Sequence, residues 1–294
     1  MKKFFMYAIS LALCTTMVSC GDDDDDQGGN GGGAPAHGEA VEAPEISDFG
    51  GVRLTNLVYS DNFGNEHVSY SFSYNAQGAL SQIASSYDRM QIDYANGKAI
   101  FIDSDGDRQE CALFTNQKGY ATEFVYSGYE SPSEPFTVRH IFTYDSNDHL
   151  VKYECIDTGK DDGRDYTEKR ESELTWEGDL LVKSHAVETT NGVVEWESTV
   201  NFGYTNAPEN ARCQYTAALA RRMDVDSDIV EAAFAGALGK GPSKYPTAIT
   251  TEYETTNMLY ELNAIGLVDK ETIKYVNGGA DDYAEIVKYT YSAL

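Results

Sequence analysis

The chain has 294 residues, a formal net charge of −26, and 41% hydrophobic residues. That length and apolar share suffice for a packed core, which excludes a wholly disordered protein. A field of that sign repels phosphate backbones and anionic lipid surfaces, so nucleic acid is excluded as an expected partner.

The chain opens with a basic Met1-Lys2-Lys3, an apolar run from Phe4 to Val18, and the small residue Ser19 before Cys20. This is a secretory signal, too short and wrongly flanked for a stable membrane span. A cysteine directly after the small residue reads as a lipidation site. Met17-Val18-Ser19-Cys20 resembles the bacterial lipobox, with methionine in place of the usual leucine. Residues 1–19 are thus expected to be removed and Cys20 to carry the acyl chains, two or more of which anchor a protein stably. An ordinary signal peptide with a chance cysteine is the simpler alternative. Asp22 to Asp26 follow at once. Such a run resembles surface-export signals of Gram-negative lipoproteins, and a solvated spacer of like charges also fits it. An outer-membrane lipoprotein at the cell surface is the expected localisation, with a periplasm-facing attachment as the other option.

Residues 20–46 form an acidic, Gly-rich tether with Pro35 and Pro44 and no apolar periodicity. Residues 47–294 are expected to form a single β-rich domain. Val68-Ser69-Tyr70-Ser71-Phe72-Ser73-Tyr74 alternates strictly, as do the stretches around Val138–Tyr144 and Val200–Tyr204. Period two of this kind marks antiparallel strands with one buried face. Short polar turns with Gly, Asn or Asp separate them. A degenerate repeat emerges: an aromatic, a polar turn, then an aliphatic. Tyr74-NAQG-Ala79-Leu80, Tyr94-ANG-Lys98-Ala99-Ile100, Tyr144-DSND-His149-Leu150 and Trp176-EGD-Leu180 carry it, and Leu262-NAIG-Leu267 lacks only the aromatic. Each unit is a hairpin whose aromatic packs across the turn.

Helical spacing interrupts this pattern at about residues 207–238. Asn206 and Pro208 suit a helix start, and Ser227 suits the cap of a second helix running to Gly239. Strands resume after Tyr245-Pro246. The expected fold is all-β: a large curved antiparallel β-meander, open or barrel-like, of twelve to sixteen strands with a short two-helix insertion.

The lipobox with its aspartates, the hairpin repeat, Phe202-Gly203-Tyr204-Thr205-Asn206, Leu238-Gly239-Lys240-Gly241 and Tyr245-Pro246-Thr247 form an ordered set. As a set it resembles a family of uncharacterised bacterial lipoproteins, described as a domain of unknown function with a porin-like fold. The resemblance implies a curved sheet or barrel and no activity. "Porin-like" describes shape only, because a membrane barrel needs a lipid-facing apolar band and the second face here carries Ser, Glu and Lys.

Three cysteines remain in the body, Cys111, Cys155 and Cys213, which is neither a disulfide framework nor a zinc pattern. A single Cys111–Cys155 bridge is an option beside three free thiols. Asp103, Asp105, Asp107 and Glu110 around Gly106 offer hard oxygen ligands, a weak calcium candidate. An ordinary hairpin tip explains them equally, since the glycine comes too early for an EF-hand. Trp176 and Trp196 are candidates for a sugar-stacking platform or for plain buried aromatics. The scattered histidines form no ligand pattern, no cofactor is expected, and no catalytic motif is present. The expected function is a non-catalytic binding or structural module for a glycan or protein. The alternative is an extracellular polymer hydrolase whose carboxylates hide in the acidic excess.

Overall fold

A computed structural model describes residues 39–43, 52–131, 133–225, 229, 232–233, 236–276 and 283–293. Sixteen strands form one closed antiparallel barrel in which each strand pairs with its neighbours in the chain. They are β1 (Val52–Asp61), β2 (Glu66–Tyr74), β3 (Leu80–Ala84), β4 (Asp88–Asp93), β5 (Lys98–Asp103), β6 (Arg108–Thr115), β7 (Ala121–Ser131) and β8 (Glu134–Tyr144). The second half holds β9 (Leu150–Asp161), β10 (Arg164–Glu177), β11 (Leu180–Thr190), β12 (Val193–Gly203), β13 (Ala248–Thr250), β14 (Thr255–Leu262), β15 (Val268–Tyr275) and β16 (Ala284–Ala293). The seam is β1 against β16, from Val52 opposite Ala293 to Asp61 opposite Glu285, with a bulge between Leu54 and Asn56.

This corrects the expected fold in two respects. The sheet is not an open or loosely curved meander, because the first and last strands pair and close it. Alternation within a strand sets which face is buried but not which distant strand seals the edge. The expected two-helix insertion is also corrected: among the described residues of that stretch the one delimited helix is α1 (Ala217–Arg221), capped by the Thr216 hydroxyl, and Ile229, Ala232 and Ala233 beyond it also have helical backbone. Asn206, taken as the helix start, sits at φ 55 in the left-handed region, and so does Asp224 just beyond α1. Of the expected second helix, Ser227, Val230 and Phe234 lie outside the described residues.

The reason for the misreading is burial. A barrel of this strand number would ordinarily enclose a wide lumen. Here the chain between β12 and β13 fills it. Leu219, Ala217, Ala220 and Leu238 are fully buried, with Met223 and Ile229 nearly so. An apolar segment surrounded on all sides shows apolar residues at every spacing, helical spacing included. The barrel wall supplies partners for the plug's backbone, as buried polar groups require. Ser172 Oγ donates to the Asp224 carbonyl at 2.8 Å, and Ser184 Oγ to the Met223 carbonyl at 3.1 Å. The Ala217 N–H donates to Tyr289 Oη at 2.8 Å, and the Ala218 N–H to Glu271 Oε2 at 3.3 Å. Tyr289 Oη donates in turn to Glu271 Oε2 at 2.9 Å, and burial pushes the Glu271 carboxyl above its ordinary range.

The opposite face of the wall is ionic. Lys169 bridges Glu154 and Glu171, Lys152 joins the same two acids, and Arg139 pairs with Glu123. Lys98 meets Glu110, and Lys270 meets Glu261. Ser127 and Thr137 share a hydrogen bond, as do Gln82 and Gln91. Exposed pairs of this kind add little stability. They matter because they interrupt the apolar band that a membrane barrel needs. Among the described residues, no helix is long and apolar enough to cross a membrane.

Candidate functional site

Antiparallel pairing in chain order puts the connections β1–β2, β3–β4 and so on to β15–β16 at one end of the barrel. The alternate connections lie at the other end. The chain N-terminal to β1 touches that second, tether end: Val41 N–H donates to the Tyr94 carbonyl at 2.9 Å, and Thr115 Oγ1 to the Glu42 carbonyl at 2.7 Å. Gly97 lies beneath this segment at φ 55, and a Cβ there would sit 2.4 Å from the Glu39 carbonyl. A side chain at that position would therefore clash with the bound tether and strain the turn.

The hairpin repeat has a physical basis at the tether end. The aromatic that ends one strand donates to a carbonyl at the start of the preceding strand. Tyr74 reaches Leu54 at 2.7 Å, Tyr144 reaches Ala121 at 2.7 Å, and Trp176 reaches Leu150 at 2.9 Å. Tyr204 reaches Leu181 at 2.8 Å and Tyr291 reaches Val268 at 3.0 Å. Burial pushes the Tyr74 hydroxyl up to about 12, so these phenols stay protonated donors. The polar residue after several of these aromatics closes the turn. Asn75, Asn116, Asp145 and Asn263 each accept, through Oδ1, the N–H groups two and four residues on. This is the side-chain-to-backbone bond that makes Asx residues turn formers.

The far end uses the same turn bond at Asp61 and Asp103. Hydrogen bonds from the Asn65 side chain and from the Asn65 and Phe63 N–H groups hold the Asp61 carboxyl below its usual range. Several of its aromatics, however, stand exposed. Of the eleven large hydrophobic side chains that stand exposed among the described residues, eight belong to far-end hairpins. Phe63 (70% exposed) and Tyr87 lie on the first two far-end connections, and Tyr129 lies near the far end of β7. Val193, Val194, Tyr253 (82% exposed), Val276 and Tyr283 belong to this end too. Two far-end connections carry acids instead: Asp103, Asp105 and Asp107 between β5 and β6, and Asp161 and Asp162 between β9 and β10. The result is a rim of exposed aromatic and aliphatic side chains interleaved with carboxylates, at an end that the plug reaches through the Arg221–Glu285 and Arg222–Glu254 pairs.

The sequence-predicted site residues are dispersed. Cys20 lies outside the described residues. Asp103 Oδ1 is occupied by the Asp105 and Asp107 N–H groups at 2.9 and 3.0 Å. Glu110 lies on the outer wall, paired with Lys98 at 2.8 Å. Trp176 is at the tether end, stacked on His149 at 4.0 Å and 7°. Trp196 faces the lumen toward the far end, under the Arg170 guanidinium at 5.6 Å, so the two tryptophans form no common platform. Cys111, Cys155 and Cys213 are not joined in disulfides, so the optional Cys111–Cys155 bridge is not formed. One trio of carboxylates does converge, with oxygens of Glu134, Asp161 and Asp162 within 4.8 Å of one another. Such oxygens suit a hard divalent ion, but Glu134 Oε1 already accepts the Asp162 N–H at 3.1 Å. Beside it a shallow cleft is lined by Pro135, Phe136, Gly159, Lys160 and Tyr166.

Sequence reasoning missed the rim. The signal was present: turns favour small polar residues, yet Asn62-Phe63-Gly64-Asn65, Ser85-Ser86-Tyr87 and Glu252-Tyr253-Glu254 place an aromatic at the tip.

No protein-family model and no curated protein matches the chain. Solved structures that share its fold include two porin-like proteins. A porin-like protein from Bacteroides uniformis superposes with a TM-score of 0.59 at 18% identity, over 86% of this chain and all of that one. A porin-like protein from Bacteroides vulgatus gives 0.54 at 13% identity, over 83% of this chain and all of that one. The chain thus has a porin-like barrel fold, and the likeness at this identity is one of architecture.

Proposed function

We propose that this chain is a lipid-anchored outer-membrane protein that acts as a non-catalytic binding module at the cell surface, with its barrel as a scaffold rather than a conduit. The observation that carries this reading is the inversion of the wall. Apolar residues face a lumen filled by the chain's own plug, and ion pairs face outward. A barrel of that polarity has neither a lipid-facing band nor a pore. Attachment through Cys20 is supported by the lipobox-like segment and by the contacts of residues 39–43 with one end of the barrel. On that reading the tether end faces the membrane and the far rim faces away from it. The ligand, glycan or protein, would then meet the rim first.

Planar-bilayer recording tests the scaffold reading: the purified protein is expected to produce no conductance steps, and stable steps would contradict it. Mass spectrometry of the mature N-terminus tests the anchor. Cys20 is expected to be acylated and Cys20→Ala to abolish the modification; a free N-terminus at Gly21 or later in the wild type would remove the anchor from the account.

A further inference from the structure

We infer that the far rim is a docking surface for a positively charged polypeptide segment; this deepens the binding-module reading and rests on it. Exposed apolar side chains scattered singly need no explanation, but their concentration at one end of a molecule points to an interaction surface. Here Phe63, Tyr87, Tyr253 and Tyr283 project from four far-end connections and Tyr129 from the far end of β7, whereas the tether end turns its aromatics inward onto backbone carbonyls. Tyrosine presents a large rigid face at low entropic cost and is enriched where proteins bind proteins.

Charge selects the partner. The rim tip between β5 and β6 carries Asp105 and Asp107 beside Arg108, the tip between β9 and β10 carries Asp162 beside Arg164, and Glu252 precedes Tyr253, while Glu254 on its other side is held by Arg222 of the plug. A Lys or Arg side chain meets both requirements at once: its charge pairs with the carboxylates, and its cationic head lies over an aromatic face. The same carboxylates disfavour the competitors. A second copy docking rim to rim would set aspartates against aspartates, and an anionic lipid surface would be repelled. The position of the rim agrees. Residues 41 and 42 of the tether contact the opposite end of the barrel.

The test is fluorescence anisotropy with three labelled peptides of about twelve residues, Lys/Ala, Ser/Ala and Glu/Ala, at two salt concentrations. The Lys/Ala peptide is expected to bind, more weakly at high salt, and the other two are not. Tyr87→Ser, Tyr129→Ser and Tyr253→Ser together should weaken binding by roughly tenfold or more. Asp105→Lys with Glu252→Lys should do the same, while Glu173→Lys with Glu261→Lys on the outer wall carries the same charge change and should have little effect. Circular dichroism confirms that each variant is folded. Equal weakening by the rim and wall charge pairs would mean general attraction to an acidic protein and overturn the inference. Binding to maltoheptaose or to zwitterionic phosphatidylcholine vesicles without binding to the Lys/Ala peptide would overturn it as well. Either result leaves the scaffold reading standing, since peptide binding measures neither conductance nor the barrel's behaviour in detergent-free buffer.

Discussion

The two ends of this barrel are built from the same hairpins and use their aromatics in opposite ways. At the tether end Tyr74, Tyr144, Trp176, Tyr204 and Tyr291 fold inward, and each donates a hydrogen bond to a backbone carbonyl about one hairpin earlier in the chain. At the far end Phe63, Tyr87 and Tyr253 sit on the turn itself and stand in solvent. The difference lies in position relative to the turn. An aromatic on the last strand residue, with inward parity, can reach across its hairpin; one at the tip has no wall beside it. Sequence position within a hairpin thus separates aromatics that stabilise the barrel from aromatics that stand available to a partner.

Substitutions can break or sharpen that contrast. The largest effect belongs to the plug that both ends enclose. Leu219→Asp would bury an unpaired charge at a fully buried site, and we expect a loss of several kcal/mol, on the order of 3–5, with no cooperative thermal transition near physiological temperature. Next come the inward aromatics. Tyr144→Phe and Tyr204→Phe each remove one donor to a buried carbonyl, and each should cost about 1 kcal/mol in urea unfolding. Tyr253→Phe at the rim should shift stability by less than about 0.5 kcal/mol. Equal costs at the two ends would erase the distinction.

Acid and base should then act on different parts. Burial would raise the Asp148 carboxyl, but hydrogen bonds from Lys118 and Lys240 outweigh it and hold it below the ordinary range. Lys240 lies where the plug returns to the wall. A depressed carboxyl contributes stability above its unfolded pKa and loses it as pH falls through the folded value, so Asp148→Asn should flatten the acid limb of a melting-temperature profile. Glu271 runs the other way. Its carboxyl is raised by burial, so its contribution is complete below the unfolded pKa and is lost as pH rises through the folded value. Glu271→Gln should flatten the loss of stability that sets in as pH rises above the ordinary carboxylate range. The smallest effect is expected on the outer wall: losing the Lys152–Glu171 pair, at 3.2 Å and partly exposed, should cost less than about 1 kcal/mol.

Much of the wall was legible in the sequence, because period-two alternation and Asx turns are local. Val68 to Tyr74 and the turn at Asn75 follow from neighbouring residues alone. The closure of β1 on β16 was not legible, since Val52 and Ala293 are at opposite ends of the chain and no local signal pairs them. The plug was misread for a related reason. Met223, Ile229 and Leu238 are apolar because the barrel surrounds them, and helical spacing within such a segment does not set where a helix begins: Asn206 is left-handed and α1 starts at Ala217. The candidate site was half legible. Asp103 and Asp105 were visible as a turn, and Tyr253 between two glutamates was a visible oddity. Their shared rim depends on barrel topology, which alternate connections reveal only after closure.

The central claim is that this porin-like barrel is a water-facing scaffold sealed by its own chain. Sedimentation velocity on the chain from Gly21 onward, in detergent-free buffer, tests it most directly. The account predicts a soluble, discrete species with the circular dichroism of a folded β-protein, unchanged when detergent is added. Aggregation in buffer that detergent relieves, with bound micelle mass on the folded species, would contradict it.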